Sequence, residues 1–201
     1  MIEALLRPAK GKPQLSLADK ILVPAIAWPT TIWPLVQLGL DPIFVDVNPL
    51  TLALDLECAQ DVIDEFGGKV RGIFPIHPLG YSMLPSELES FIDKNNLVLI
   101  NDVCESLGSW REGKHAGTSG IGGSFSFYFS HHITTMEGGG VATNDKNFAD
   151  DIRAIRSHGW SRDRSDVLKW KNEYLSNLAT NSISENQLKF QFITTGYNVR
   201  Q

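Results

Sequence analysis

The sequence predicts an α/β protein in which a mostly parallel sheet lies between helices. Short apolar runs rich in β-branched and aromatic residues alternate with segments that repeat apolar residues at helical spacing. This alternation is typical of parallel sheets, because each crossover between parallel strands needs a long, usually helical, connection. A length of 201 residues, with 42% hydrophobic and 20% charged residues, is enough for one domain with a sizeable core.

The first half of the chain supplies three predicted strands and two predicted helices. Residues 20–28 (KILVPAIAW) and 42–47 (PIFVDV) are apolar runs, and a helical stretch over residues 30–40 lies between them. Residues 56–68 have helical spacing and end in a glycine pair, which commonly terminates a helix. Residues 70–80 (VRGIFPIHPLG) form the third strand.

The second half continues the alternation. It is predicted to contain, in order, a helix at 84–96, strands at 97–102, 122–130 and 138–145, and an amphipathic helix at 146–160. The composition then becomes polar and irregular over residues 161–189, and a loop is predicted over residues 176–187 (SNLATNSISENQ).

The composition argues against several classes of function. A net charge of -5 argues against general nucleic-acid binding, which needs a basic face. The two cysteines, Cys58 and Cys104, are too few for a disulfide framework or a four-cysteine metal site. No apolar run approaches membrane-spanning length, so we expect a cytoplasmic protein that makes no contact with a membrane.

Candidate site residues follow from the predicted sheet, because ligands of parallel sheets bind at the carboxyl ends of the strands. Trp28 and Asp102 end predicted strands, His77 lies near the carboxyl end of another, and the segment SFYFSHHITTMEGGG (residues 126–140) spans the end of one predicted strand and the start of the next. Asp102 either caps the next turn or pairs with a protonated ring nitrogen of a cofactor such as PLP. Trp28 either packs in the core or stacks on a planar ring.

The adjacent His131 and His132 allow three interpretations. On an extended strand their side chains point to opposite faces, which argues against a shared metal ion, and no nearby ligand spacing completes a zinc site. A half-buried pair that hydrogen-bonds neighbouring loops fits the pattern. One histidine serving as a general base fits it as well, since imidazole titrates near neutral pH.

Five motifs occur together in a recognisable order. They are residues 21–52, NDVCESLGS (101–109), SFYFSHHITTMEGGGVATND (126–145), IRSHGWSRD (155–163) and GYNVR (196–200). Together they resemble the DegT/DnrJ/StrS family of PLP-dependent nucleotide-sugar aminotransferases over nearly the whole chain. The resemblance implies the aspartate-aminotransferase-like fold (fold type I) and a homodimer with its active site at the subunit interface.

The resemblance also assigns roles to particular residues. Trp28 matches the aromatic residue that stacks on the pyridine ring, and Asp102 matches the carboxylate that pairs with the pyridinium nitrogen. Glu105 lies where the family usually has Gln or His beside the ring hydroxyl. Ser126 matches a hydroxyl that holds the cofactor phosphate, and Asn198 matches a residue that reaches the phosphate in the partner subunit's site.

One departure from the family pattern bears on the chemistry. The aminotransferases have Ser-Phe-x-x-x-Lys, and that lysine binds PLP covalently; counting from Ser126, the lysine position holds His131. Imidazole cannot form the stable bond that a primary amine forms, so we expect PLP or pyridoxamine phosphate to be held non-covalently. The resemblance then favours the 3-dehydratase branch of the family, with His131 as the base and His132 as a bystander.

That branch makes 3,6-dideoxysugars of the kind found in O-antigens. It implies a nucleotide-diphosphate 4-keto-6-deoxyhexose as substrate, with GDP favoured over CDP, and glutamate as the amino donor. Relatives that carry a [2Fe–2S] cluster have cysteines after the histidine segment, whereas this chain has none there, so no cluster is expected. A sugar aminotransferase of the same family, and a cofactor-binding regulatory relative without turnover, are the alternatives.

The family pattern also bears on domain organisation. Its glycine- and serine-containing phosphate-binding segment normally precedes a stretch like MIEALLRPAK, and a small carboxy-terminal domain normally follows GYNVR. We therefore expect residues 1–201 to be a fragment that holds an incomplete PLP-binding large domain and lacks both of these parts.

Overall fold

The computed structural model describes residues 1–9, 11, 14–177 and 190–199. The chain divides into two compact units. One contains Ile2 and residues 14–145, and the other contains Met1, residues 3–13 and the chain from residue 146 onward.

The larger unit is built on a six-stranded sheet. Its strands are β1 (Lys20–Pro24), β2 (Asp41–Val45), β3 (Val70–Ile73), β4 (Val98–Asp102), β7 (Gly122–Ser126) and β8 (Gly139–Ala142), in the order β2-β1-β3-β4-β7-β8. The first five run parallel, and β8 pairs antiparallel with β7. A separate hairpin consists of β5 (Trp110–Arg111) and β6 (Lys114–His115). The predicted α/β class with a mostly parallel sheet is confirmed.

Helices connect the parallel strands of this unit. They are α2 (Pro29–Gln37), α3 (Leu56–Phe66) and α4 (Pro85–Asn95). Asp55 caps α3 by accepting hydrogen bonds from the N–H groups of Glu57 and Cys58, at 2.9 and 3.2 Å. Asn96, in the left-handed conformation, ends α4.

The core of this unit lies where strand side chains meet α3 and α4. Leu22, Ile73 and Leu99 come from three neighbouring strands and are almost fully buried. Ala59 and Leu88 supply the facing helix surfaces. Removing this apolar surface from water stabilises the sheet and so fixes the positions of the strand ends.

The first strand is shorter than predicted. β1 ends at Pro24, and residues 25–28 form a bend that leads into α2. Pro29 is the first residue of the helix, where its fixed φ suits the helix and its missing N–H has no partner to lose. The residue before a proline favours extended backbone, so Trp28 becomes the residue that precedes α2.

The smaller unit contains α5 (Lys146–Arg156) and α6 (Val167–Asn177), and α1 (Ile2–Leu6) begins the chain. The guanidinium of Arg164 is buried and donates to the carboxylates of Asp151, at 2.6 Å, and Asp166, at 2.7 Å. These two ion pairs join α5 to the turn that precedes α6.

The polar and irregular stretch over residues 161–189 contains a helix, and the predicted loop over residues 176–187 begins within the last two residues of that helix. The segment forms a short 3₁₀ turn at Ser161–Asp163 and then α6, while residues 178–189 lie outside the described residues. The helix forms because Leu, Lys and Glu favour helix. The segment shows no clear apolar face, so the periodicity of its apolar residues did not reveal the helix. Across the described ranges, no helix combines the length and apolarity that a bilayer crossing demands.

Candidate active site

Asp102 ends β4, the strand that pairs with β3 on one side and with β7 on the other. Its carboxylate is only 7% exposed. One oxygen, Oδ2, accepts a hydrogen bond from the hydroxyl of Thr31 at 2.6 Å, and Oδ1 accepts one from the main-chain N–H of Cys104 at 3.1 Å. Burial of a charged group is tolerated only when such donors replace water, so the carboxylate is held in one orientation.

Trp28 is not a core residue. Its side chain is 72% exposed, and it precedes α2 without making a side-chain capping bond. Its carbonyl accepts the N–H of Thr31 at 3.0 Å, so the first turn of α2 carries both the exposed indole and the hydroxyl bound to Asp102. An exposed aromatic ring on the same helical turn as a hydroxyl bound to a buried carboxylate suits the binding of a planar, cationic ring.

Ser126 is the last residue of β7, and β7 runs parallel to β4. The paired register joins Asp102 to Ser124, so Ser126 and Asp102 lie at the same edge of the sheet. The hydroxyl oxygen of Ser126 accepts the N–H of Tyr128 at 3.2 Å. Its hydroxyl proton is left for an acceptor such as a phosphate oxygen.

The two histidines do not lie on an extended strand, which corrects the geometry assumed from the sequence. β7 ends at Ser126, and both histidines follow in a turn. The N–H of His131 donates to the carbonyl of Tyr128 at 3.0 Å, which folds the chain back after the aromatic run. His131 is half-buried and edge-on to the Tyr128 ring, whereas His132 is exposed.

The two histidines therefore differ in their exposure to solvent and in their contacts. A half-buried imidazole beyond the carboxyl end of a central strand can exchange a proton with a ligand at that edge. Among the residues that the structure describes, no group of three or more His, Cys, Asp or Glu side chains is arranged to hold a metal ion.

Glu105 lies in the turn after β4, and its side chain is exposed. Its Oε2 accepts the main-chain N–H of Leu79 at 3.0 Å. Leu79 has a φ of 50°, in the left-handed region that non-glycine residues rarely adopt. The predicted role of Glu105 beside a cofactor hydroxyl stays a prediction, and the observed bond anchors the turn that follows β3.

His77 is singled out by its position after β3, and the structure places it in the protein interior, 2% exposed. Its Nδ1 accepts the N–H of Met83 at 3.2 Å, so Nε2 carries the proton and donates to Asn101 Oδ1 at 3.0 Å. Burial lowers the pKa of His77, against smaller raising effects of Asn101 and Asp102. This neutral imidazole is a structural group next to the site rather than a second base.

Cys104 follows Asp102 and is a free thiol, as is Cys58. Burial, and then the nearby Asp102 carboxylate, raise the pKa of the Cys104 thiol far above its ordinary value. The thiol therefore stays protonated at neutral pH and is a poor metal ligand.

Asn198 belongs to the smaller unit, where it forms an isolated antiparallel bridge with Ser157. Its side chain is exposed. The predicted contact with a phosphate in a partner's site is not tested by this bridge and stays a prediction.

Two residues of the site escaped the reasoning from sequence. Thr31 had only one signal, a hydroxyl three positions after the candidate stacking residue, which is one helical turn away. Asn101 precedes Asp102 and faces the opposite side of β4, where its amide donates to the carbonyls of Ser119 and Gly122 at 2.9 and 3.2 Å. Buried amide side chains are uncommon in apolar strands, so an asparagine in this strand was a signal that could have identified Asn101.

Comparison with known proteins adds independent information. The chain is 37% identical over 189 residues to GDP-4-keto-6-deoxy-D-mannose 3-dehydratase of Escherichia coli O55:H7, which covers 94% of this chain and 46% of that protein. A solved structure of the E. coli enzyme with bound hydrated PLP superposes with a TM-score of 0.80 at 35% identity, covering 99% of this chain and 48% of that one. A structure of GDP-4-keto-6-deoxymannose-3-dehydratase with a trapped PLP-glutamate geminal diamine gives a TM-score of 0.80 at 34% identity, with the same coverage.

The chain thus spans about half the length of the relatives it matches. The predicted aspartate-aminotransferase-like fold is confirmed by these superpositions. The sequence profile of the DegT/DnrJ/EryC1/StrS aminotransferase family matches residues 9–200, which is nearly the whole chain. With its ordered motifs, its sheet and this match in agreement, the chain belongs to the DegT/DnrJ/EryC1/StrS aminotransferase family.

Proposed function

We propose that this chain is the cofactor-binding part of a 3-dehydratase that removes the C3 hydroxyl of a nucleotide-linked 4-keto-6-deoxyhexose. The observation that carries the proposal is His131, an imidazole at the position where aminotransferases of the family have lysine. It lies beyond the carboxyl end of β7, the neighbour of the strand that ends in Asp102. The named relatives are 3-dehydratases of GDP-4-keto-6-deoxymannose, which favours GDP as the nucleotide.

The donor set fits PLP or pyridoxamine phosphate. A buried carboxylate with only neutral donors suits a protonated ring nitrogen, an exposed indole suits the face of the ring, and a strand-end hydroxyl suits the phosphate. Asp102, Trp28 and Ser126 would hold these three parts, Glu105 would meet the ring hydroxyl, and Asn198 would reach a phosphate in the partner's site. When bound, the cofactor supplies an amine for the keto group and a ring that withdraws electrons.

The chain itself contributes to the reaction in two ways. It transfers a proton, and it disfavours the competing reaction, which is amino transfer. His131 would take up, at an imidazole nitrogen, the proton that C4′ of the bound cofactor would lose as hydroxide leaves C3 of the sugar. Imidazole cannot bind the cofactor covalently as lysine does, so the protein lacks the amine that completes amino transfer in the aminotransferases. Glutamate is the proposed amino donor, a choice supported by the glutamate adduct in a solved relative.

The family resemblance extends the proposal to assembly and location. We place the protein among cytoplasmic homodimeric enzymes of O-antigen and other dideoxysugar biosynthesis. The described residues would form most of the large, PLP-binding domain. These statements rest on the resemblance and on the relatives, and a measured molecular mass of the intact protein in solution tests the dimer.

Borohydride reduction separates the dehydratase from the aminotransferase. The intact protein is mixed with PLP, reduced and digested, and its peptides are weighed. The unaltered protein should carry no pyridoxyl group, whereas His131→Lys should gain one on that residue. An adduct in the unaltered protein, for example on Lys114 or Lys146, would instead support the aminotransferase.

Turnover separates the enzyme from a regulatory relative. The unaltered protein, given pyridoxamine phosphate and GDP-4-keto-6-deoxymannose, should release the 3-deoxy sugar. His131→Asn should still bind the cofactor but lose this activity. Activity in neither form, with cofactor binding in both, would contradict catalysis and support the regulatory role.

A further inference from the structure

The Asp102 carboxylate has an unusual set of partners for a buried charge. Among the described residues, no Lys or Arg forms an ion pair with it. Its hydrogen bonds come instead from the Thr31 hydroxyl and from the N–H and the thiol of Cys104. Each carboxylate oxygen can accept more than one hydrogen bond, so the group has room for a cationic donor that the polypeptide does not supply.

Thr31 occupies a fixed position relative to this carboxylate. It is the third residue of α2 and is 3% exposed, while Thr30 beside it is exposed. Its backbone is held by the bond from its N–H to the Trp28 carbonyl. As a β-branched residue within a helix, it has few rotamers available, so its hydroxyl has little freedom to leave Asp102.

The direction of the hydrogen bond is determined by chemistry. The ionised carboxylate can only accept, so the single hydroxyl proton of Thr31 is directed to Asp102 Oδ2. Oδ1 is held from the other side by the Cys104 N–H. With donors on both oxygens, the plane of the carboxylate cannot rotate without breaking a buried hydrogen bond.

We propose that Thr31 is a positioning residue, whose hydroxyl fixes the Asp102 carboxylate in the orientation that receives the protonated ring nitrogen of the cofactor. The inference rests on the proposed function, because it assumes that PLP binds here. It assigns a second task to the first turn of α2, which carries Trp28 for the face of the ring and Thr31 for the partner of its nitrogen.

A positioning role and a merely structural role predict different losses of cofactor binding when Thr31 is replaced. If Thr31 acts through Asp102, its loss weakens only the interaction with the ring nitrogen. If it only stabilises the fold, its loss weakens every contact with the cofactor to the same degree. The carbocyclic analogue of PLP that has carbon in place of the ring nitrogen (deaza-PLP) distinguishes these two cases.

The experiment measures the dissociation constants of PLP and of deaza-PLP for the intact protein by absorbance or fluorescence titration. Thr31→Val keeps the shape and removes the hydroxyl, and it should weaken PLP binding about tenfold while changing deaza-PLP binding less than about twofold. Thr31→Ser keeps the hydroxyl and should resemble the unaltered protein with both ligands. Thr30→Val, an exposed neighbour in the same turn, is the matched control and should change neither.

Each outcome has a distinct meaning. Equal loss of both ligands in Thr31→Val, or no loss of either, would overturn the role of Thr31 and leave the proposed function intact. Thr31→Ser behaving like Thr31→Val would also overturn it, because the hydroxyl would then be irrelevant. An unaltered protein that fails to bind PLP would overturn the proposed function and this assignment together. Thr31→Ala repeats the comparison with a side chain too small to clash in a buried site.

Discussion

The main-chain N–H of His77 donates a hydrogen bond to the main-chain carbonyl of Asp102 at 2.9 Å. The same histidine uses both ring nitrogens, accepting from Met83 and donating to Asn101. The hydroxyl of Ser106 closes the arrangement by donating to the His77 carbonyl at 2.6 Å. The end of β4, which presents the candidate carboxylate, is therefore tied to the segment after β3 by a buried and neutral imidazole.

This arrangement predicts that acid destabilises the protein through His77. The unfolded chain takes up a proton at this imidazole near pH 6.5, whereas burial lowers the pKa of the folded form. Below pH 6.5 the unfolded state therefore binds more protons, and stability falls as the pH falls toward the lower, folded pKa. One such group lowers the free energy of unfolding by at most about 1.4 kcal/mol per pH unit.

Urea unfolding at several pH values between 7.5 and 5 measures this effect. His77→Gln disturbs the hydrogen bonds that the imidazole makes, so the variant should be less stable near neutrality. Because glutamine does not titrate, the variant should also lack this part of the acid dependence. The exposed His132 provides the control, and His132→Gln should keep the slope of the unaltered protein. The same pH slope in His77→Gln as in the unaltered protein would show that His77 does not contribute.

The Asn101 side chain should be important for stability because it satisfies three buried groups. Its amide donates to the carbonyls of Ser119 and Gly122 and its oxygen accepts from His77. Asn101→Ala removes these three buried hydrogen bonds and should lower the free energy of unfolding by about 3 kcal/mol. Asn144→Ala, at an exposed position, should stay within about 0.5 kcal/mol. Similar urea midpoints for the two variants would contradict the argument.

Much of this site could be predicted from the sequence because its residues lie at strand ends. An apolar run that stops at Asp102 marks both a strand and its carboxyl edge, and the run that begins at Gly122 marks a second strand beside it. The lysine position occupied by His131 required only a count along a family motif.

The remaining features depend on contacts between residues far apart in the sequence. Thr31 and Asp102 are 71 positions apart, and His77 and Asn101 are 24 apart, so no local pattern reports either hydrogen bond. The turn around His131 was missed because aromatic and β-branched residues favour strand, and the end of pairing at Ser126 depends on the register with β8.

Gly122 limits how closely β7 and β8 can pack. Its φ is 150°, and a Cβ atom would lie 2.4 Å from the carbonyl oxygen of Ala142, a main-chain atom that cannot swing away. Gly122→Ala should therefore destabilise the protein by at least about 2 kcal/mol and weaken PLP binding, because β7 leads to Ser126 and His131. A Cβ at Gly68 meets no heavy atom within 4 Å, so Gly68→Ala is the matched control and should stay within about 0.5 kcal/mol. Equal thermal midpoints for the two variants would contradict this account of the strand pair.

Trp28 should affect cofactor binding far more than it affects folding. Its indole is 72% exposed and makes no capping bond, so its removal sacrifices little packing. Stacking of a planar ring on this indole predicts that Trp28→Ala weakens PLP binding roughly tenfold, while Trp28→Phe, which keeps an aromatic face, stays within about threefold. Trp110 is 66% exposed and lies on the separate β5–β6 hairpin, so Trp110→Ala is the matched control. Fluorescence titration of the intact proteins with PLP gives the dissociation constants, and equal affinities for Trp28→Ala and Trp110→Ala would show that the ring does not stack on Trp28.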